Sequence, residues 1–397
     1  MFQQQLRIPG PTPIPERVAE AGRRPMINHR SAPFTRLLGE IIEGIQWAVE
    51  SKNKVLIFPA SGSGGMEAAI VNLLSPGEKA LFCSCGAFGA RWIQMARRYG
   101  VDVVELKIPL GQPVIPEDVQ FVLEQDPEIS TVYVTHNETS TGIMNPVADI
   151  ARVVKQKQKL LVLDSVSAAG CVPMPTAPEA DVVLSASQKG WMSPPGAAIA
   201  VVSAEAMQKA ASSRLPRWYL DFSLMAQAQA KGETVTTPPI SVLYAMHEAL
   251  AMMREEGRDE IFLRHAAVAA MTQAGIEALG FALLAQPGYR SRTVTAVLHE
   301  GGKEALGQLR SQLMQKGVVV AGGQGELADK LFRIGHLGQV TPADIVSVLC
   351  SLEDVLAGGD GMGSGKGVAA ARSALAAFTS SPSPTPTQHS RPSRKST

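Results

Sequence analysis

Between residues 55 and 202 the chain alternates short apolar runs with segments whose apolar residues recur at helical spacing. No other feature restricts its fold as much. The runs Val55–Phe58, Lys79–Cys83, Val101–Leu106, Thr131–Thr135, Leu160–Asp164, Asp181–Ser185 and Ala197–Val202 read as strands. Helices are predicted over Met66–Leu74, Phe88–Tyr99, Pro116–Glu124 and Val147–Lys157. Near-continuous apolar strands separated by helices belong in a mostly parallel sheet covered on both faces, so the fold class is α/β.

Outside this region the character changes. Residues 1–15 hold Pro9, Pro11, Pro13 and Pro15, which forbid a regular helix or central strand, so they read as an extended arm. Leu37, Leu38, Ile41, Ile42, Ile45 and Val49 mark a helix. Long helices are expected over Ile240–Glu256 and Asp259–Leu279. Strands near Arg292–Leu298, Val318–Ala321 and Leu331–Ile334 then mix with helices near Lys303–Lys316 and Pro342–Leu356. The expected organisation is an arm (1–15), a large domain (16–256), a smaller α+β domain (257–357) and a low-complexity tail (358–397). The tail is Gly-rich, then Ser/Thr/Pro-rich, and reads as disordered apart from a short Ala-rich helix over Val368–Phe378.

The 397 residues are 45% hydrophobic, enough for a large core, and 37 basic residues nearly balance 36 acidic ones. A net charge of +1 gives no global field for nucleic acid or anionic lipid, and no apolar run approaches a membrane span. The start of the chain lacks the pattern of a signal peptide. Four scattered cysteines suggest reduced thiols in a cytoplasmic protein and form no metal pattern.

Chemistry concentrates at strand ends. Lys189, in Ser187-Gln188-Lys189-Gly190, follows the run Asp181–Leu184, and Asp164 ends the run before it. Burial lowers a lysine's pKa and makes its amine nucleophilic. A lysine and an aspartate at successive strand ends match the needs of pyridoxal phosphate, one for the aldehyde and one for the ring nitrogen. Ser61-Gly62-Ser63-Gly64-Gly65 joins a strand to a helix and offers free backbone amides to an anion, without the lysine of a nucleotide loop or the spacing of a dinucleotide fingerprint. Phe88 could stack on a planar ring or pack in the core. His136 and Glu138, in the polar segment 135–142, read as hydrogen-bonded structural residues. Arg333 lies inside an apolar strand and needs an anion, either a substrate carboxylate or a structural salt bridge.

Taken in order, these residues resemble the class V aminotransferases of fold type I, above all the alanine–glyoxylate, serine–glyoxylate and serine–pyruvate branch. The resemblance runs from about Leu6 to Leu356 through Pro9-Gly10-Pro11-Thr12, Met26-Ile27-Asn28-His29-Arg30-Ser31, Ser61-Gly62-Ser63-Gly64, Thr139-Ser140-Thr141-Gly142, Asp164-Ser165-Val166-Ser167, Ser187-Gln188-Lys189-Gly190 and Arg333-Ile334-Gly335. It implies pyridoxal 5'-phosphate, with Lys189 as Schiff-base lysine and general base and Asp164 as partner of the pyridinium. It further implies Phe88 stacked on the ring, Ser63, Gly64 and Gln188 at the phosphate, a ring-supporting hydroxyl at Thr139, and Arg333 on the substrate carboxylate. Gly65 stands beside the cofactor where some relatives carry His. Thr237 would reach the phosphate of the neighbouring subunit, so the resemblance implies a homodimer; Thr234 replaces an aromatic found in some relatives. The implied substrates are a small amino acid, alanine or serine, and an oxo acid, glyoxylate, in a ping-pong reaction. Two alternatives stay open: a lyase or desulfurase on the same scaffold, and a subunit associated with a soluble hydrogenase.

Overall fold

The computed structural model describes residues 4–175, 178–359 and 363–380. Its elements, in chain order, begin with β1 (Gln5–Arg7), α1 (Glu16–Gly22), α2 (Ala32–Ala48), β2 (Lys54–Phe58), α3 (Gly62–Leu73), β3 (Lys79–Ser84), α4 (Ala87–Arg98) and β4 (Asp102–Lys107). There follow α5 (Pro116–Gln125), β5 (Thr131–Thr135), β6 (Asn137–Glu138), β7 (Ile143–Met144), α6 (Val147–Gln156), β8 (Leu160–Asp164), β9 (Val182–Ala186), β10 (Ala198–Val202), α7 (Ala204–Ser212) and α8 (Phe222–Gln229). The last are α9 (Ile240–Glu256), α10 (Arg258–Ala278), β11 (Val294–Leu298), α11 (Gly302–Gln315), β12 (Val318–Gly322), β13 (Leu331–Gly335), α12 (Pro342–Leu356) and α13 (Lys366–Ser380).

The seven expected strands form one sheet, in the order β2-β10-β9-β8-β5-β3-β4. β10 alone runs antiparallel to its neighbours. Alternate side chains feed two cores. Val132, Val134, Leu161, Leu163 and Ile199 bury on one face, against α2 and α9 among others. Tyr133, Val162, Val182, Leu184 and Ala200 bury on the other, against α3, α4 and α8. There Tyr133 stacks on Phe82 with centroids 4.3 Å apart, and Trp92 meets Tyr133 edge-on. The outer edge of β2 is closed by a side chain: Gln229 accepts from the Ile57 amide at 3.0 Å and donates to the Val55 carbonyl at 3.0 Å, as a neighbouring strand would.

A second sheet, in the order β1-β12-β13-β11, packs on α10, α11 and α12. β1 belongs to the Pro-rich arm; it precedes the prolines and takes an edge position, where few ladder bonds are asked of it. α12 starts with a capping box between Thr341 and Asp344 and Pro342 in its first turn. The expected helix within the tail exists and is longer, and it is packed rather than free. It extends the expected 368–378 to 366–380 and packs chiefly on α10 and α12. Ala371 is fully buried, and Gly275 of α10 faces the backbone of Gly367 across a close crossing. The Ser/Thr/Pro-rich stretch 381–397 lies outside the described residues.

Candidate active site

In a parallel sheet, ligands bind outside the carboxyl ends of the strands. Here β2, β3, β5, β8 and β9 deliver at those ends the segments 61–63, 86–91, 136–140, 164–166 and 187–191. Four of them, all but 136–140, converge on a cavity of about 200 Å³ lined by Ser61, Gly62, Ser63, Phe88, Arg91, Asp164, Val166, Gln188 and Lys189, with Gly10 and Pro11 from the arm.

Lys189 is held from two sides. Ser187 ties its loop together by donating to the Pro194 carbonyl at 2.7 Å and accepting from the Ala197 amide at 3.2 Å. From the arm, Thr12 donates its hydroxyl to the Lys189 carbonyl at 3.0 Å and its amide to the Gln188 carbonyl at 3.1 Å. The amine Nζ donates to the Pro9 carbonyl at 2.6 Å. Gly10 is required there: its φ is +138°, and a Cβ would lie 2.6 Å from Nζ. Burial lowers the Lys189 pKa to about 8; Asp164 opposes this, while the charges of Arg333 and Arg91 add to it. The same burial raises Asp164 to about 6, against the Val166 amide that donates to Oδ1 at 3.0 Å. With a pKa near 8 roughly a tenth of the amine is neutral at pH 7, far more than for an ordinary lysine, and the neutral form is a nucleophile and a base.

The N-terminus of α3 lies on the other side of the cavity. Its amides favour an anion, and Arg91 adds a cation, with Nη1 donating to Ser63 Oγ at 3.3 Å and its guanidinium 4.7 Å from the Phe88 ring centroid. Arg91 escaped the sequence reading, although its signal was available: it lies three residues after Phe88 on one face of α4. The buried Gln188 Oε1 has no partner among the described residues, which leaves a polar group for a ligand to satisfy. An amine for an aldehyde, a buried carboxylate for a ring nitrogen, an aromatic wall and a cationic helix end for a phosphate together fit pyridoxal phosphate.

The remaining expected residues are placed as follows. Gly64 and Gly65 start α3 behind the cavity; Gly65 faces Leu184 and Ala198 of the sheet rather than the lining. Thr139 is buried and hands its carbonyl to Arg333 Nη1 at 3.1 Å. Arg333, only 5% exposed, also donates Nε to the Gly322 carbonyl at 2.8 Å, and burial lowers its pKa to about 10. Among the described residues no carboxylate bonds it, so the salt-bridge alternative has no partner there. Thr237 is exposed and does not line its own chain's cavity. Thr234 donates its hydroxyl to the Thr236 carbonyl within its own turn. His136 is buried and bonded to Ser165 Oγ at 3.2 Å, with its pKa brought down to about 4 by burial.

The chain is similar in sequence and fold to known proteins. The family model for aminotransferase class V matches residues 12–329. A protein of Anabaena cylindrica named soluble hydrogenase 42 kDa subunit is 39% identical, covering 88% of this chain and 92% of its own. The L-aspartate–glyoxylate aminotransferase of Paracoccus denitrificans is 36% identical over 89% of this chain and 91% of its own. The crystal structure of an alanine–glyoxylate aminotransferase from Nostoc sp. superposes with a TM-score of 0.85 at 29% identity, covering 90% of this chain and 96% of that one. With fold, cavity and sequence in agreement, the chain belongs to the class V aminotransferases, whose cofactor is pyridoxal phosphate.

Proposed function

We propose that this aminotransferase moves the amino group of a small L-amino acid, alanine or serine, to glyoxylate, giving glycine and pyruvate or hydroxypyruvate. The observation that carries the reading is Arg333, a buried guanidinium bonded only to carbonyls among the described residues and electrostatically felt by Lys189. A cation so placed suits the α-carboxylate of an amino acid. The names of the Nostoc and Paracoccus relatives support glyoxylate as acceptor.

When bound, pyridoxal phosphate supplies an aldehyde carbon for the amino group and a ring that accepts electrons. The residues do the rest. Arg333 grips the donor carboxylate and thereby orients the Cα–H bond. Lys189, with a pKa near 8, takes the Cα proton and returns it elsewhere. The Pro9 carbonyl orients its amine. Asp164, buried opposite, keeps the ring nitrogen protonated. Ser63, Arg91 and the α3 amides hold the phosphate, and Thr237 would do so across a homodimer.

A visible-absorption titration tests the reading. The band of the holoenzyme should bleach with L-alanine or L-serine and return with glyoxylate. Bleaching by L-aspartate alone would overturn the donor assignment, and no recovery with glyoxylate would overturn the acceptor.

The name of the Anabaena relative carries a second reading, association with a soluble hydrogenase. Cys83, Cys85 and Cys171 are buried and burial raises all three thiols, Cys85 to about 12 and Cys171 to about 11, which disfavours thiolate donors. Metal analysis of the pure protein decides between the readings. The desulfurase alternative would need an exposed, mobile cysteine; Cys350 is exposed but sits on helix α12, and sulfide release from cysteine tests it.

A further inference from the structure

Glu138 is fully buried at the carboxyl end of the sheet, yet no ion pair accounts for it among the described residues. Four donors converge on its two oxygens. Oε2 accepts from the amides of Phe88 at 3.0 Å and Gly89 at 3.2 Å. Oε1 accepts from the Ser140 amide at 3.1 Å and the Ser140 hydroxyl at 2.6 Å. Ser140 Oγ in turn accepts from the Ala87 amide at 2.9 Å. Helix α4 has Gly86 at its cap position and therefore no cap from its own sequence. Glu138 of β6 and Ser140 in the turn after it cap it from outside, taking its first three amides.

The fit is close. A Cβ on Gly86 would lie 2.4 Å from Ser140 Oγ and 2.5 Å from Glu138 Cγ. Four donors leave no acceptor for a carboxyl proton, so the bonding is built for the anion, which the positive end of α4 also favours. Burial works against it and raises the Glu138 pKa. The residue between the two caps, Thr139, supplies the carbonyl that holds Arg333. One three-residue turn thus fixes both the aromatic wall of the cavity and the arginine behind it.

We infer that Glu138 is a positioning residue for the cofactor: through the Phe88 and Gly89 amides it fixes the ring of Phe88 against which pyridoxal phosphate is seated. This rests on the cofactor fitting the cavity described above. Glu138→Gln keeps the shape but turns an amide nitrogen toward donors, so at least one of the paired bonds is lost.

The test is a double-mutant cycle on the equilibrium binding of pyridoxal phosphate to cofactor-free protein, using wild type, Glu138→Gln, Phe88→Ala and the double variant. Glu138→Gln should weaken binding about tenfold when Phe88 is present and less than about threefold when it is absent. It should also reduce the visible circular dichroism of the bound cofactor, which reports the seating of its ring. Additive effects, or an unchanged Kd and dichroism, overturn the proposal. If Glu138→Gln does not fold, the same cycle with Ser140→Ala decides, because that variant removes one acceptor from α4 and keeps the carboxylate. Wild type that binds no pyridoxal phosphate would instead refute the cofactor itself.

Discussion

Lys189 is held where its charged form is disfavoured, and this has a stability consequence of definite sign. Its pKa falls from 10.5 to about 8 on folding, so between those values the unfolded chain binds more protons than the folded one. The penalty is present in full below about pH 8 and disappears as the pH climbs toward 10.5. Lys189→Met should therefore stabilise the cofactor-free protein at pH 7, by at most about 3 kcal/mol, while abolishing the visible band and turnover. Thermal melts across pH check it: the gap between variant and wild type should close above pH 8. Asp164 acts in the opposite sense. Its pKa is raised to about 6, so its penalty is present above that pH and is lost as the pH falls toward 3.8. Both residues were legible in the sequence because a polar residue ending an apolar strand is a local signal. Arg91 and the Pro9 carbonyl were not, since the first looks like any helix cation and the second is backbone.

At the scale of elements, the same contrast between local and distant information holds. All seven strands of the large sheet were legible, with ends displaced by a residue or so, because their apolar runs are bounded by polar or glycine residues. The sequence also marked the helix in the tail, but not its packing, which depends on residues far away in the chain. Glu353 of α12 explains why that helix docks. Its carboxylate accepts from the amides of Gly365 at 3.0 Å, Gly367 at 2.6 Å and Val368 at 3.2 Å, capping α13 from outside. Glu353→Ala leaves these amides without that acceptor and should cost about 1–2 kcal/mol. Hydrogen exchange should show α13 opening while the β8 and β9 amides keep their protection. Equal loss of protection in both would mean that α13 has no separate stability.

Across the whole molecule, residues 5–12 tie the two sheets to the lysine. β1 pairs with β12, Arg7 forms a buried ion pair with Asp344 of α12 at 2.7 Å, and Gly335 of β13 lies against the Ile8 carbonyl, where a Cβ would come within 2.2 Å. Directly after Ile8 the arm presents Pro9 and Gly10 to the Lys189 amine and then Thr12 to its loop. The prolines made an extended arm legible; its destination was not, because it is set by partners more than 170 residues away. A change at Arg7 should therefore be felt at Lys189, although the two share no contact. Arg7→Met keeps the length of the side chain, removes the buried charge, and leaves Asp344, which is partly exposed, to water and to its role in the α12 cap. Its effect on overall stability should thus stay below the roughly 3 kcal/mol expected for stranding a buried charge, as Asp344→Ala would do. With the arm released, Lys189 loses the carbonyl that orients it, so cofactor-free Arg7→Met should recombine with pyridoxal phosphate several-fold more slowly than wild type. Inorganic phosphate, which needs only the α3 amides and Arg91, should compete with the cofactor equally well in both proteins. Stopped-flow absorption measures the first and a competition titration the second. Equal recombination rates would show that the loop alone positions the lysine and that the arm serves only the small sheet.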